Sequence, residues 1–600
     1  MAGNMDSPRI LRAIAALWIC TASITGCGGG GQLATKLPVE SQEAAAVVTS
    51  PSKQTTSMLE KPGTDQEAAR FLQQATFGFS DADIVRVKQI GYSAWIDEQV
   101  QMPVQFSNVQ AINAFNPGHD VRSIALNDSI WLGIPKDDQL RQRMMFALSQ
   151  IFVVSASDGS TENWGRSLAY YVDSLYGQGF GNYRDLLETV TLSPAMGAFL
   201  SHMYNQKENS QSGAVPDQNY ARELMQLFSI GLYQLNQDGT PKLDSQGSKI
   251  PTYNNSDIIG VSRVLTGLAP RGATARDWEQ RNCFCQRRSD ILAQTSPMEA
   301  NDVYHSTARK QFLGTTIPEG STNTAADLKI LLDTLFSHPN VGPFLSRQLI
   351  QRFVTSNPSA DYVARVASKF NNNGNGVRGD LTAVLKAILL DPEARDPSFV
   401  NRPDYGRVRE PILRMGQMMR VFKARTDRYS HTFGIGAQIY DKRKGLWQSP
   451  MRSPTVFNFY FPDYSPPNSV LRSRNLVAPE LQISTVASVG DVDHLIFGVL
   501  GDGGITVCCG DEKRNTYSMR FDYSEWLPLV ERPTELVEKM NTRFMAGQMS
   551  NSLKSLLLRT ISETSSAITP TSGMNRGLSQ VKFATAMRVM MASAEYVVQK

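Results

Sequence analysis

The segment best equipped for chemistry is Asn219-Tyr220-Ala221-Arg222-Glu223-Leu224-Met225-Gln226-Leu227-Phe228-Ser229-Ile230-Gly231. Read as a helix, it sets Tyr220, Leu224, Leu227 and Phe228 on a core stripe. Asn219 and Glu223 then lie one turn apart, as do Arg222 and Gln226. Four hydrogen-bonding side chains thus leave one side of a strongly apolar helix. If that side is buried, each needs a partner, because an unmatched polar group inside a protein is costly. Two segments offer partners: Tyr304-His305-Ser306-Thr307-Ala308-Arg309-Lys310 and Arg452-Ser453-Pro454-Thr455-Val456-Phe457-Asn458.

Two roles fit this set. In one, Asn219, Lys310, Arg452 and Asn458 are binding groups of a polar network that locks helices together. In the other, the residues line a pocket: Glu223 is the acid or base, His305 a proton shuttle, and Arg222 or Lys310 an anion contact. A carboxylate beside Arg222 is expected to titrate low, which suits a base or a structural ion pair better than a general acid.

Other motifs are weaker. Gly374-Asn375-Gly376-Val377-Arg378-Gly379 matches a dinucleotide fingerprint, but a helix and an asparagine run precede it where a strand is required. It reads as a turn between helices. Asn371, Asn373, Asn375 and Gly376 echo a calcium loop, yet Thr382 stands where the closing glutamate belongs. The chain has no Gly-x-Ser-x-Gly elbow, His-Glu-x-x-His helix or phosphate-cradling Gly-Lys-Ser/Thr loop. The six histidines share no local ligand spacing, so no metal site is assigned, and no cofactor is named by any motif.

The elements that must position these groups are mostly helical. Apolar residues recur at helical spacing over 137–156, 166–176, 183–191, 217–230, 256–266, 325–337, 341–354, 360–372 and 380–390. Asp380 precedes the last of these as an N-cap. Between Gly231 and Tyr253, Gln237-Asp238-Gly239 and Gln246-Gly247 separate short apolar runs and predict a small hairpin. Residues 526–600 return to helix. The expected fold is mainly α: a multi-helix globular body with a small β-hairpin element and long loops.

The front of the chain carries an address. Arg9 and Arg12 precede the apolar run Ala13 to Cys20, which is shorter than the roughly 20 residues a spanning helix needs. Ile24-Thr25-Gly26-Cys27 resembles a bacterial lipobox, which implies cleavage before Cys27 and lipid on its sulfur. Several acyl chains would hold the protein stably, at about 0.8 kcal/mol per buried methylene. Gly28 after the lipidated cysteine implies the outer membrane, by resemblance to lipoproteins of double-membraned bacteria. The expected organisation is a signal peptide at 1–26, a Gly-, Ser- and Thr-rich tether at 27–64 and a folded body at 65–600, with sub-lobes at 65–395 and 396–600. The net charge of +4 argues against a nucleic-acid partner. Cys283, Cys285, Cys508 and Cys509 remain after the leader. Cross-pairing between the two segments, free thiols and a four-thiolate site of unusual spacing all stay open.

Taken in order, Ala69-Arg70-Phe71-Leu72-Gln73-Gln74-Ala75-Thr76-Phe77-Gly78, Asn219 to Leu224, Tyr253 to Gly267, His305 to Gly314, His338 to Phe353, Gly379 to Arg395 and Ser453 to Asp463 resemble the bacterial family catalogued as domain of unknown function 1800. The resemblance covers about residues 66–600. It implies an exported, largely helical protein, often encoded beside a second exported family of sulfatase-like character, which is the implied partner. It brings no activity or cofactor. Some relatives carry histidines in the helix matching Arg143 to Ser155, where this chain has Ser149 and Gln150. The expected function is that of a lipid-anchored protein of the outer membrane or cell surface, acting through a partner protein or a polymer. The alternative is a hydrolase or lyase of an extracellular polymer, with Glu223 and His305 as acid and base.

Overall fold

Helices begin where side chains replace the missing backbone partners of the first turn. In the computed structural model, Thr64 caps Asp65–Ala75 while Glu67 reaches back to the Thr64 amide. Ser80 with Asp83 does the same for Asp81–Ile90, and Asn254 with Asp257 for Asn255–Val264. Asp380 caps Leu381–Leu389 as expected, its Oδ1 accepting the Ala383 amide at 3.0 Å. The structure describes residues 60–115, 121–280, 290–426, 445–506, 517–565 and 577–600. Cys27 with the expected leader and most of the expected tether, and Cys283, Cys285, Cys508 and Cys509, lie outside the described residues.

The fold is mainly α, with small two-stranded sheets. The predicted helices stand at Gln139–Ser149, Gly165–Gln178, Tyr183–Thr191, Asn219–Gln226, Asn255–Val264, Thr324–Ser337, Val341–Phe353, Ala360–Asn371 and Leu381–Leu389. No helix among the described residues is long and apolar enough to cross a membrane. The described residues fall within one unit, Lys53–Lys600.

Two apolar cores fill that unit. One gathers residues mainly from Ala68 to Tyr405, including Phe71, Leu148, Tyr220, Leu224, Phe228 and Leu349, with Met451 and Ala546 joining from the second half. The other gathers Ile412 to Tyr596, with Phe77, Trp131 and Phe146 reaching in from the first half. Phe422 is the hub of the second core. Its ring lies 5.0–5.9 Å, centroid to centroid, from Phe521, Tyr523, Trp526, Phe544 and Phe583.

The β elements differ from the simple hairpin expected at 231–253. That stretch is an arm in which Gln234 N–H donates to Ile250 O, Ile250 N–H to Lys242 O, and Lys242 N–H to Gln234 O. Isolated bridges, rather than a ladder, join its limbs, because turns at Gly239 and Gly247 fold it twice within twenty residues. Asn340 pins its base, donating to Ile230 O at 2.9 Å and Tyr233 O at 2.7 Å. Leu232, Tyr233 and Leu243 on the arm are exposed. The strand pairs lie elsewhere: Lys310–Phe312 with Thr315–Ile317, and Arg407–Val408 with Val598–Gln599.

In the loop 371–379, Asn372 Oδ1 accepts the Gly374 and Gly376 amides and Asn373 Oδ1 accepts those of Asn375 and Val377. Arg378 Nη1 donates to Asn371 Oδ1. The loop is a turn between helices, as its sequence predicts, and its amide oxygens serve the backbone and an arginine.

Candidate functional site

Helix Asn219–Gln226 is shorter than the periodic run that predicts it. It ends at Leu227, where Ser229 Oγ donates to Leu224 O and Gly231 takes φ +71°. Tyr220, Leu224 and Phe228 are buried as the stripe requires. The four polar positions separate: Glu223 is buried at 7% exposure, Gln226 is intermediate, and Asn219 and Arg222 are exposed. Glu223 Oε2 has no hydrogen-bond partner. Burial raises the Glu223 carboxyl above its ordinary value, and the Arg222 charge offsets only part of this. The expectation of a low-titrating carboxylate is therefore corrected. Arg222 lies in solvent, where its attraction is screened, and desolvation dominates.

Tyr220 stacks on His202 at 3.8 Å, and its hydroxyl lies 2.8 Å from Thr191 Oγ1. His202 Nε2 donates to Thr191 O at 2.8 Å, and burial drives the imidazole down to about 4, so it is neutral at physiological pH. Its Nδ1 has no partner. Local spacing could not single out His202, because its contacts are made by tertiary packing of the Tyr183–Thr191 and Asn219–Gln226 helices.

His305 and Lys310 belong to a second centre. Gly260 lets helix Asn255–Val264 lie directly on strand Lys310–Phe312; a Cβ there would stand 2.0 Å from Gln311 O. This close approach carries Lys310 inward. Lys310 Nζ meets Asp327 Oδ2 at 2.9 Å, and His305 Nε2 donates to the same oxygen at 3.1 Å. His305 Nδ1 lies 2.9 Å from Thr266 O and 3.1 Å from Thr266 Oγ1, so both ring nitrogens are engaged. Ser321 Oγ donates to Asp327 Oδ1 at 2.7 Å. Burial alone would raise the Asp327 carboxyl; the Lys310, His305 and Ser321 contacts outweigh it and hold it below its ordinary value. His305 and Lys310 are both 0% exposed.

The remaining sequence candidates lie apart. Arg452 Nη1 donates to Ser123 Oγ at 3.1 Å and to Ala156 O at 3.3 Å. Asn458 is buried at φ +67° in the turn begun by Thr455. Asn219 reaches Ser201 Oγ at 3.5 Å. No hydrogen bond among the described residues joins Glu223 to either partner segment.

Sequence reasoning missed a buried ionic centre. Arg407 Nε and Nη2 donate to Glu480 Oε1 at 3.0 and 2.7 Å, and Nη2 reaches Glu410 Oε1 at 3.2 Å. Gln150 Nε2 and Tyr460 OH donate to Glu410 Oε2 at 2.7 and 2.9 Å, with Gln448 at 2.5 Å. Arg407 Nη1 and Arg143 Nη2 share Arg352 O. Burial alone would lower Arg407, but the Glu480 and Glu410 charges reverse this and hold it above its ordinary value. Burial raises Glu480 against the opposing pull of Arg407. Arg407-Val408-Arg409-Glu410 is the one visible signal, a charged run opening directly into an apolar helix.

A family model described as "Protein of unknown function (DUF1800)" matches residues 70–598. No curated protein and no solved structure matches the chain.

Proposed function

Since the chain belongs to the DUF1800 family of proteins of unknown function, we propose that it is an exported protein held at the outer membrane or cell surface by lipid on Cys27. In this reading it acts by binding a partner protein or a polymer. The implied partner is the exported, sulfatase-like protein of the neighbouring family. One observation carries the binding reading: His305 and Lys310, the side chains best suited to acid–base work, are wholly buried and engaged by Asp327 and Thr266. The address rests on Arg9, Arg12, the short apolar run and Ile24-Thr25-Gly26-Cys27. Cys27→Ala is expected to abolish labelling by a radioactive fatty acid and to release the protein from the membrane fraction. Labelling that persists in this variant would refute the anchor.

A second reading has its own support. Glu223 is buried, has an oxygen without a partner, and titrates above its ordinary range, which suits a general acid on an extracellular polymer. Glu223→Gln keeps the shape and removes the transferable proton. On the binding reading this variant restores the phenotype of a deletion strain. Failure to restore it, at an unchanged melting temperature, would favour the acid.

A further inference from the structure

Arg70 and Gln74 leave helix Asp65–Ala75 one turn apart, on the same face. Arg395, which closes the short helix Pro392–Arg395, meets them, and Tyr405 lies beyond the loop 396–404. All four side chains are deeply buried: Arg70 is 4% exposed, Gln74 0%, Arg395 3% and Tyr405 6%. Their mutual contacts use only part of their hydrogens. Arg70 Nη1 donates to Asp396 O at 3.3 Å and Nη2 to Arg395 O, while Arg395 Nη2 donates to Gln74 Oε1. Arg70 Nε, Arg395 Nε, Arg395 Nη1, Gln74 Nε2 and the Tyr405 hydroxyl have no partner.

The chemistry of this set is one-sided. Every unpartnered nitrogen is a donor, and the Tyr405 hydroxyl can act as one. Burial, against the pull of Arg70 and Arg395, lifts the Tyr405 hydroxyl to about 12, so it keeps its proton. Guanidinium groups remain charged at any physiological pH, and a buried charge calls for a counter-charge. Among the described residues neither Arg70 nor Arg395 contacts a carboxylate. Glu67 and Asp396 act on Arg70 only through space, and the neighbouring acids spend their hydrogen bonds elsewhere. Glu67 holds the Gly63 and Thr64 amides, Asp396 caps Ser398, and Asp391 and Glu393 hold Arg365. The Arg395 guanidinium also lies over Phe71 at 5.1 Å and Tyr92 at 5.2 Å, which orients it without neutralising it.

We propose that Arg70, Gln74, Arg395 and Tyr405 form a binding site for a small oxyanion. Two planar forks, an amide and a hydroxyl suit the several acceptor oxygens of phosphate, sulfate or a carboxylate. The loop 396–404 that covers the site has exposed residues at 397, 398 and 401–403. The site is separate from Glu223 and stands whether or not the proposed function holds.

The test titrates sodium phosphate, sulfate or acetate into the purified folded protein at constant ionic strength, with chloride as the balancing salt, and follows the thermal midpoint. The expected result is a saturable rise of roughly 2–3 °C at a hundredfold excess over Kd. The acetate arm distinguishes a carboxylate from a tetrahedral anion. Arg395→Met is expected to abolish the response. Tyr405→Phe, which removes a single oxygen, is expected to move saturation to about tenfold higher anion and serves as the test if Arg395→Met does not fold. A wild-type response that fails to saturate, or saturation unchanged in Tyr405→Phe, would overturn the proposal.

Discussion

Arg407→Met is expected to lower stability by about 3–5 kcal/mol, because it leaves two carboxylates buried without their cation. Glu410 and Glu480 are 1% and 2% exposed and share the Arg407 guanidinium. Methionine fills much of the volume, so lost charge rather than a cavity is the cause. Adding Glu410→Gln and Glu480→Gln is expected to return part of the loss, since the triple variant no longer buries two carboxylates without Arg407, while Arg143 and Arg352 keep their charges there. Calorimetric midpoints and soluble yield of the single and triple variants measure both effects. If the triple variant melts no higher than Arg407→Met alone, the centre acts through shape rather than through ion pairing.

Phe422→Ala is expected to cost about 3–5 kcal/mol, the range for emptying a buried aromatic site. Phe422 is 0% exposed and touches aromatic rings on every side, so the surrounding residues cannot collapse without breaking pairs that each add about 0.5–1.5 kcal/mol. Phe422→Leu keeps more of the volume and is expected to cost less than half as much. If the unit melts in one transition, the alanine variant lowers the midpoint by about 3–4 °C. An unchanged midpoint would show that the ring shell closes without its centre.

The helices were legible because apolar spacing is a local property. Leu381, Val384, Leu385 and Ile388 repeat at helical intervals, and the structure buries all four behind the Asp380 cap. The arm was only half legible. Gln237-Asp238-Gly239 and Gln246-Gly247 locate its turns, but the circular exchange among Gln234, Lys242 and Ile250 depends on how the three limbs are folded together. Glu223 was found by its helix face, and its burial follows from that stripe. Its titration did not follow, because the exposure of Arg222 is set by the surroundings. The Arg407 centre and the Arg70–Arg395 pair were hidden for a different reason. Glu480 stands 73 residues beyond Arg407, and Arg395 lies 325 beyond Arg70, so no local pattern connects them.

The antiparallel pairing of Arg407–Val408 with Val598–Gln599 has a kinetic implication. Gln599 also donates to Phe353 O at 2.8 Å, so one short strand stitches three distant stretches of chain. A nascent polypeptide cannot make this closure until residue 599 has left the ribosome. The Arg407–Val408 edge therefore stays without its strand partner until that stretch of chain has been made, and its pairing is a late event in folding.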